Sequence, residues 1–174
     1  MNDSRGFTLI ETLVYLGLFS ILIGGTLIGA FNLFESTGRQ QTHTILQEEG
    51  NFVIGKIQWA VSGAEAVNNP GGGLYGSQLS VNKVTGLDGA GHSIITTVVL
   101  TFADPDVQIQ NGTNPVEVLN NSNVRVRRIG FLHTLTSGNG VIPESVEAST
   151  TLEMLAPNGM VVSEDFSTTV YVRR

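Results

Sequence analysis

The feature that most constrains this chain is a long uncharged stretch close to its N-terminus. Residues 12–34 contain no Asp, Glu, Lys, Arg or His. At a helical rise of about 1.5 Å per residue, this stretch would form a helix roughly 34 Å long, enough to cross a bilayer core of about 30 Å. The sequence therefore predicts a membrane-spanning helix that anchors the residues after it.

The residues before this stretch do not follow the order of an ordinary secretory signal, in which the cleavage site comes after the apolar region. Here a short polar leader, residues 1–6, ends in Gly6, and a cleavage point between Gly6 and Phe7 would precede the apolar residues. Because glycine has no side chain, it lets the backbone before the scissile bond lie close to a protease cleft. Cleavage at this point would leave the anchor on the mature protein.

The hexapeptide from Gly6 to Glu11, Gly-Phe-Thr-Leu-Ile-Glu, resembles the class III signal of type IV pilins and of the pseudopilins of type II secretion systems. The resemblance implies that a membrane prepilin peptidase cuts after Gly6 and that the new N-terminal residue, Phe7, is N-methylated. It also implies that Glu11 becomes the fifth residue of the mature chain, a position where the family typically has Glu.

Glu11 has two interpretations. An unpaired carboxylate in hydrocarbon is unfavourable by a few kcal/mol, so Glu11 invites a cationic partner, and the freed α-amino group of a neighbouring subunit is such a partner. That salt bridge would favour ordered addition to a filament. In the simpler interpretation Glu11 lies at the membrane interface and stabilises the positive end of the helix dipole.

Composition and charge narrow the functional class. A net charge of −6 argues against a surface that binds nucleic acid. The chain has no Cys, so disulfides and thiolate metal sites are excluded. Because a leader this short is unsuited to translocation, we expect a single-pass protein of the cell (inner) membrane, with its N-terminus in the cytoplasm and its C-terminal domain outside.

The helical pattern continues beyond the anchor with one apolar and one polar side. Apolar residues recur with the spacing of one stripe on a helix, at Leu46, Val53, Ile57, Ala60 and Ala64. A neighbouring line contains Phe52 and Trp59, for which we expect core packing. We therefore predict a transmembrane helix over residues 7–34 and its amphipathic continuation over residues 35–67, ended by the Asn-Pro-Gly-Gly-Gly segment at 69–73.

From residue 74 onwards the apolar residues recur with the period of two that is typical of β-strands. We predict strands at 78–84, 93–103, 124–133, 144–155 and 166–172, within a sheet domain that covers residues 74–174. Asp-Gly, Asp-Pro and Asn-Gly pairs between them predict short hairpin turns. The sequence thus predicts an α+β fold in which a long N-terminal helix packs on an antiparallel sheet, and the pilin resemblance implies the same arrangement.

The sequence contains no catalytic constellation, and we expect neither an enzyme nor a cofactor. The three histidines have no metal-like spacing, and we expect His133 at a strand end on the surface. Asp88 and residues 104–106 could offer oxygens to calcium, but a solvated turn fits them better. Three arginines could pair with an acidic neighbouring subunit or form a charged solvent face: Arg125, Arg127 and Arg128.

The pilin resemblance implies a structural subunit, more similar to minor pilins or pseudopilins than to major pilins, that serves pilus assembly, protein secretion or DNA uptake. Its implied partners are the prepilin peptidase, other pilin-like subunits, an inner-membrane assembly platform and membrane lipid. Two alternatives stay open: a membrane-anchored binding or adhesin domain without a filament role, and a tethered enzyme.

Overall fold

The computed structural model describes residues 8–136 and 143–172 of the 174-residue chain. The chain divides into two compact units, residues 1–41 and residues 42–174. One helix, α1 (Leu9–Val61), supplies the helical residues of the first unit and the opening element of the second. The strands that follow it are β1 (Ala64–Asn69), β2 (Tyr75–Gly76), β3 (Gln78–Leu87), β4 (Ser93–Ala103), β5 (Asp106–Asn111), β6 (Glu117–Val118), β7 (Val124–Thr134), β8 (Ser145–Leu155) and β9 (Val161–Tyr171).

These strands form two antiparallel sheets, in contrast to the single sheet predicted from the sequence. The first sheet has the order β1-β3-β4-β5-β6, and the second has the order β2-β7-β8-β9. The Gly-rich connection from Pro70 to Leu74 carries the chain from the first sheet into the second. The predicted α+β class, a long N-terminal helix packed on antiparallel strands, is confirmed.

The second unit has one apolar core that α1 shares with both sheets. The predicted stripe is buried there: Leu46, Val53, Ile57 and Ala60 lie in α1, and Ala64 opens β1. Core residues from the sheets include Leu79, Leu100, Val126, Phe131 and Leu152. Burial of an apolar side chain stabilises a fold by about 1.5–3 kcal/mol, so this stripe is what holds the end of α1 to the strands.

The helix ends earlier than predicted, at Val61 rather than residue 67. Gly63 has a φ of 74°, the left-handed conformation that glycine adopts most easily and that commonly ends a helix. The residues after it, Ala64–Asn69, form β1 and pair with β3. Lys83 of β3 donates a hydrogen bond to the carbonyl of Trp59, one of the last carbonyls of α1.

The prediction that Phe52 and Trp59 are core residues is wrong. Their exposed fractions are 47% and 43%, because they lie on the line of α1 next to the buried stripe. Lysine ammonium groups cover both rings: Lys56 Nζ lies 5.4 Å from the Phe52 ring centroid, and Lys83 Nζ lies 4.1 Å from that of Trp59. The two rings therefore form an exposed surface rather than part of the core.

Strand β7 departs from simple alternation at one position. Val126 pairs with Leu152 and Arg128 with Thr151, so Arg127 is the extra residue of a β-bulge. The bulge leaves Arg127 and Arg128 exposed in succession and restores burial from Ile129 onward. Arg127 forms an ion pair with Glu153 of β8 at 2.7 Å, so this arginine is paired within its own chain.

Gly50 of α1 lies in close contact with Phe166 of the second sheet and yields a stability prediction. A Cβ at Gly50 would lie 2.2 Å from Cζ of Phe166 in β9. Gly50→Ala should therefore destabilise the second unit by roughly 1–3 kcal/mol, although Ala is normally favoured over Gly in a helix by about 1 kcal/mol. Gly55 is the matched control, since nothing lies within 4 Å of its added Cβ.

Thermal unfolding of the full chain in detergent micelles, followed by circular dichroism, measures both variants. Gly55→Ala should raise the unfolding temperature slightly, and Gly50→Ala should lower it. A higher unfolding temperature for Gly50→Ala would mean that Phe166 does not pack on this glycine.

Candidate functional site

The candidate site is the beginning of α1. The predicted cleavage and methylation residues, Gly6 and Phe7, lie outside the described residues. The Thr8 carbonyl accepts the backbone N–H groups of Glu11 and Thr12, at 3.1 and 3.2 Å, and the helix begins at Leu9. Glu11 thus lies in the first helical turn, where a carboxylate gains about 0.3–1 kcal/mol from the positive end of the helix dipole.

The Glu11 carboxylate lies within an apolar exposed surface. Its neighbours Leu9, Ile10 and Leu13 are all exposed. Within residues 8–136 and 143–172, no hydrogen bond or ion pair to the Glu11 side chain occurs. A carboxylate in this position either stays in contact with water or finds a partner on another molecule, because hydrocarbon cannot solvate it.

The rest of the first unit is suited to a membrane. Its apolar side chains, from Leu9 to Phe34, are exposed, and α1 is long and apolar enough to cross a bilayer, with a mean hydropathy of 2.0 in its most apolar window. The hydroxyl groups of Ser20 and Thr26 each donate to the carbonyl four residues earlier, both at 2.8 Å. Polar groups satisfied within the helix can enter hydrocarbon at little cost.

Four glycines interrupt the apolar surface of this segment: Gly17, Gly24, Gly25 and Gly29. Nothing lies within 4 Å of a Cβ added to any of them. Small residues let the backbone of a second helix come close, and in lipid such packing drives helix association. The segment therefore has room for contact with other helices along its length.

Sequence reasoning placed His133 wrongly, since it is buried with an exposed side-chain fraction of 3%. Its Nδ1 lies 3.1 Å from the Pro70 carbonyl, and its Nε2 lies 3.1 Å from Oε1 of Glu144, whose side chain is 7% exposed. A carbonyl can only accept, so Nδ1 carries a proton and donates it. Two backbone bonds, between His133 and the Gly73–Leu74 segment, complete the attachment of the Gly-rich connection to β7.

The remaining titratable candidates lie on the surface in small local contacts. His43 Nδ1 is 2.6 Å from Glu164 of β9, and Asp104 pairs with Arg125 at 3.2 Å. Asp88 accepts hydrogen bonds from backbone N–H groups of its own turn. These bonds, chiefly the one from the His92 N–H, lower the pKa of the Asp88 carboxyl group. Within the described parts of the chain, no three His, Asp or Glu residues could hold a metal ion together.

The comparison with protein families finds one match. The sequence model of the prokaryotic N-terminal methylation motif matches residues 1–27, which include the leader, Gly6, Phe7, Glu11 and residues 12–27 of the apolar stretch. No curated protein and no solved structure matches the chain. The match supports the resemblance to type IV pilins and pseudopilins, and this motif points to a structural protein rather than an enzyme.

Proposed function

We propose that this chain, which carries the N-terminal methylation motif of type IV pilin-like proteins, is a subunit of a pilus or pseudopilus-like filament. One observation supports the proposal most strongly. The motif at residues 1–27 coincides with an exposed, apolar α1 segment whose first-turn carboxylate, Glu11, finds no partner in the described part of its own chain. In a bundle of like helices the apolar side chains of this segment would be buried and the Glu11 carboxylate could find a partner on a neighbouring helix.

In this proposal the N-terminal residues have separate roles. Residues 1–6 are a leader that the prepilin peptidase removes after Gly6, and Phe7 becomes the methylated N-terminus. Residues 7–34 span the membrane before assembly, with the N-terminus in the cytoplasm and the strands outside. Glu11 then forms a salt bridge to the α-amino group of an adjoining subunit.

The subclass that we propose is a minor pilin or pseudopilin, serving pilus assembly, protein secretion or DNA uptake. The helix-then-sheet order and the arginine-rich strand β7 resemble such subunits. Its partners are other pilin-like subunits, the inner-membrane assembly platform and membrane lipid.

N-terminal processing tests this proposal directly. In cells that contain a prepilin peptidase, mass spectrometry of the mature chain should find Phe7 as the N-terminal residue, with one added methyl group. Gly6→Val should block this cleavage, because a β-branched side chain would crowd the scissile backbone. Gly17→Val is a matched control that lies within the apolar stretch and should be processed normally.

An intact Met1 in normal cells would contradict the filament proposal and favour a simple membrane anchor for a binding domain. Normal processing of the Gly6→Val variant would show that Gly6 does not precede the cleaved bond.

A further inference from the structure

The hairpin of β3 and β4 extends beyond the other strands of its sheet. On one side β1 pairs with β3 only as far as Lys83, and on the other side β5 pairs with β4 only as far as Val98. Residues 84–97 therefore form a two-stranded arm. A two-stranded ribbon is marginally stable in water by itself, so this arm would gain stability from a third strand.

One face of the arm carries an apolar cluster. Val84 lies opposite Ile95 in the ladder, and Leu87 lies opposite Ser93. Because residues two apart in a strand share a face, Val84, Leu87 and Ile95 lie together on the outer face, opposite to the face on which Val98 is buried. All three side chains of the cluster are exposed. The cluster thus offers apolar surface next to an edge of the sheet.

The edge of β4 beside this cluster has unpaired backbone groups. The Thr97 carbonyl accepts the Gly112 N–H at 2.8 Å, where the segment after β5 leaves β4. Because alternate residues of a strand direct their backbone groups to the same side, those of Ser93 and Ile95 face the side that β5 has left. On that side, neither residue has a backbone hydrogen bond within residues 8–136 and 143–172. The edge can therefore accept another strand.

An open groove of about 630 Å³ lies along this edge. Ile95 and Thr97 line it on one side, and Gly112 and Thr113 line it on the other. The residues that line the groove are all uncharged. A charged side chain brought into it would lose hydration without gaining an ionic partner, so the groove favours an uncharged strand.

The chain itself has a strand edge that meets this requirement. The edge strands of the two sheets are β1 and β6, and β2 and β9. β2 and β6 have two residues each, and β1 contains Glu65 and two register irregularities. The last five residues of β9, Ser167–Tyr171, are uncharged and include three β-branched residues. A cleft of about 570 Å³ is lined by Thr169, Val170 and Tyr171, so this part of β9 is accessible.

Both edges lie beside the last turns of α1. The Gln58 amide donates to the Thr168 hydroxyl at 2.9 Å, which places the end of β9 there. Lys83, at the base of the arm, donates to the Trp59 carbonyl. Neighbouring copies whose α1 helices run parallel would therefore present the two edges at about the same level.

We infer that the free edge of β4 pairs with Ser167–Tyr171 of β9 in a second copy of this chain. The inference rests on the filament proposal through the membrane anchor, which keeps the α1 helices of neighbouring copies parallel. The exposed Tyr171 ring would cover the apolar cluster, since aromatic rings pair favourably with β-branched side chains across strands. Each copy can receive one strand and offer another, so the contact extends a row of copies.

Engineered cysteines test this contact, because the chain has no cysteine of its own. Cells produce two full-length variants together, one with Ile95→Cys and the other with Ser167→Cys, Thr169→Cys or Tyr171→Cys. These three positions share the exposed face of β9. Opposed residues in paired strands have Cα atoms about 4.5–5.5 Å apart, within the range of a disulfide. Copper phenanthroline is added as the oxidant, and the membranes are analysed by non-reducing electrophoresis.

We expect a cross-linked dimer with at least one of the three positions in β9. Two matched controls should give at least tenfold less dimer. Ile94→Cys replaces Ile95→Cys and lies on the opposite face of the arm, and Leu155→Cys replaces the β9 cysteine and is exposed but lies in β8, away from the β9 edge. Equal cross-linking in either control would overturn the inference, because random collision would then explain the dimer.

A proline variant tests whether the backbone of β4 makes the contact. Ile95→Pro removes an N–H that faces the free side, so pairing of β4 with β3 is retained. Combined with Ser93→Cys, it should reduce the yield of dimer several-fold relative to Ser93→Cys alone, at an unchanged unfolding temperature. An equal yield of dimer would contradict strand pairing.

The outcome is separable from that of the filament proposal, which the sheared-filament fraction of the same cells tests. Absence of the dimer would overturn the inference whether or not filaments form. A dimer in cells that form no filaments would contradict the filament proposal and leave the strand pairing in place. A cross-link from Ile95→Cys to a different protein, without one to the second copy, would assign the groove to another partner and overturn the inference.

Discussion

Replacing Glu11 with valine should leave the chain in the membrane but remove it from filaments. Glu11 is the single carboxylate at the start of an apolar segment, and no side-chain partner for it occurs in the described part of the chain. Without it the segment is more apolar, so insertion should be equal or easier. Cleavage after Gly6 should also continue, because the variant keeps the glycine and the apolar residues.

The effect on assembly depends on what Glu11 does. If its carboxylate pairs with the α-amino group of an adjoining subunit in a surface free of water, removing it leaves an uncompensated charge. Truncating one partner of a buried charge pair costs about 2–5 kcal/mol, which corresponds to a loss of roughly 30-fold or more in occupancy. If Glu11 only interacts with the helix dipole, the loss is about 0.3–1 kcal/mol and filament content hardly changes.

Immunoblots of membrane and sheared-filament fractions separate these cases. Glu11→Asp is the matched control, since it keeps the charge on a side chain one methylene shorter and should retain part of the assembly. Equal filament content in the wild type and Glu11→Val would show that Glu11 is an interfacial residue without an assembly role.

Replacing His133 with leucine should be among the most destabilising single changes in the second unit. His133 donates to the Pro70 carbonyl through Nδ1, and its Nε2 lies 3.1 Å from Oε1 of Glu144, with both side chains buried. His133→Leu leaves the Glu144 carboxylate without its imidazole partner in a buried position. Breaking a buried pair from one side costs about 3–5 kcal/mol, a large part of the stability of a small domain.

A double-mutant cycle distinguishes the pair from a simple packing effect. The double variant His133→Leu, Glu144→Leu removes both polar groups and should recover much of the loss, because no charge stays buried. Glu144→Gln should be milder, since the Gln amide can donate to Nε2 of a neutral imidazole that still donates through Nδ1. Additive losses in chemical denaturation would mean that the two side chains do not interact.

The sequence predicted elements best where periodicity or β-branched content is strong. The strand predicted at 93–103 has the bounds of β4, and the alternation of Val146, Ala148, Thr150 and Leu152 is the buried face of β8. The apolar stripe predicted for the helix was correct from Leu46 to Ala60, whereas its last residue, Ala64, lies in β1. In β8 and in the stripe of α1 one face is so much more apolar than the other that only one orientation buries it. The bounds of β4 follow instead from its β-branched and aromatic residues.

The errors have physical causes that a single sequence does not display. Trp59 and Ala60 are adjacent and lie about 100° apart on the helix, and only the position of the sheets decides which one is buried. The burial of His133 is a consequence of the bulge at Arg127. The bulge shifts the alternation of buried and exposed positions by one residue, so that Ile129, Phe131 and His133 are all buried. The adjacent pair Arg127-Arg128 was the sequence signal of that bulge. Successive side chains of a regular strand point to opposite faces, so two adjacent charges cannot both face solvent when one face is buried.

Whether a site can be predicted from the sequence depends on whether its residues are close together in the chain. The N-terminal site was visible because its residues are contiguous, from Gly6 to Glu11. A cleft of the second unit that Lys56, Trp59 and Glu117 line was not, because these residues are brought together only by the packing of α1 beside β5 and β6. No spacing in the sequence reports such a long-range contact.

Strand β9 is eleven residues long and is the last strand of its sheet in the described structure, so one of its sides lacks a neighbouring strand. Long free edges are templates for irreversible edge-to-edge aggregation, and crowding many copies in one membrane would increase that hazard. Two adjacent carboxylates, Glu164 and Asp165, lie near the middle of β9, bonded to His43 and Thr151. Self-pairing of two such edges in a central register would bring like charges together, so we expect these acidic residues to oppose edge-to-edge aggregation.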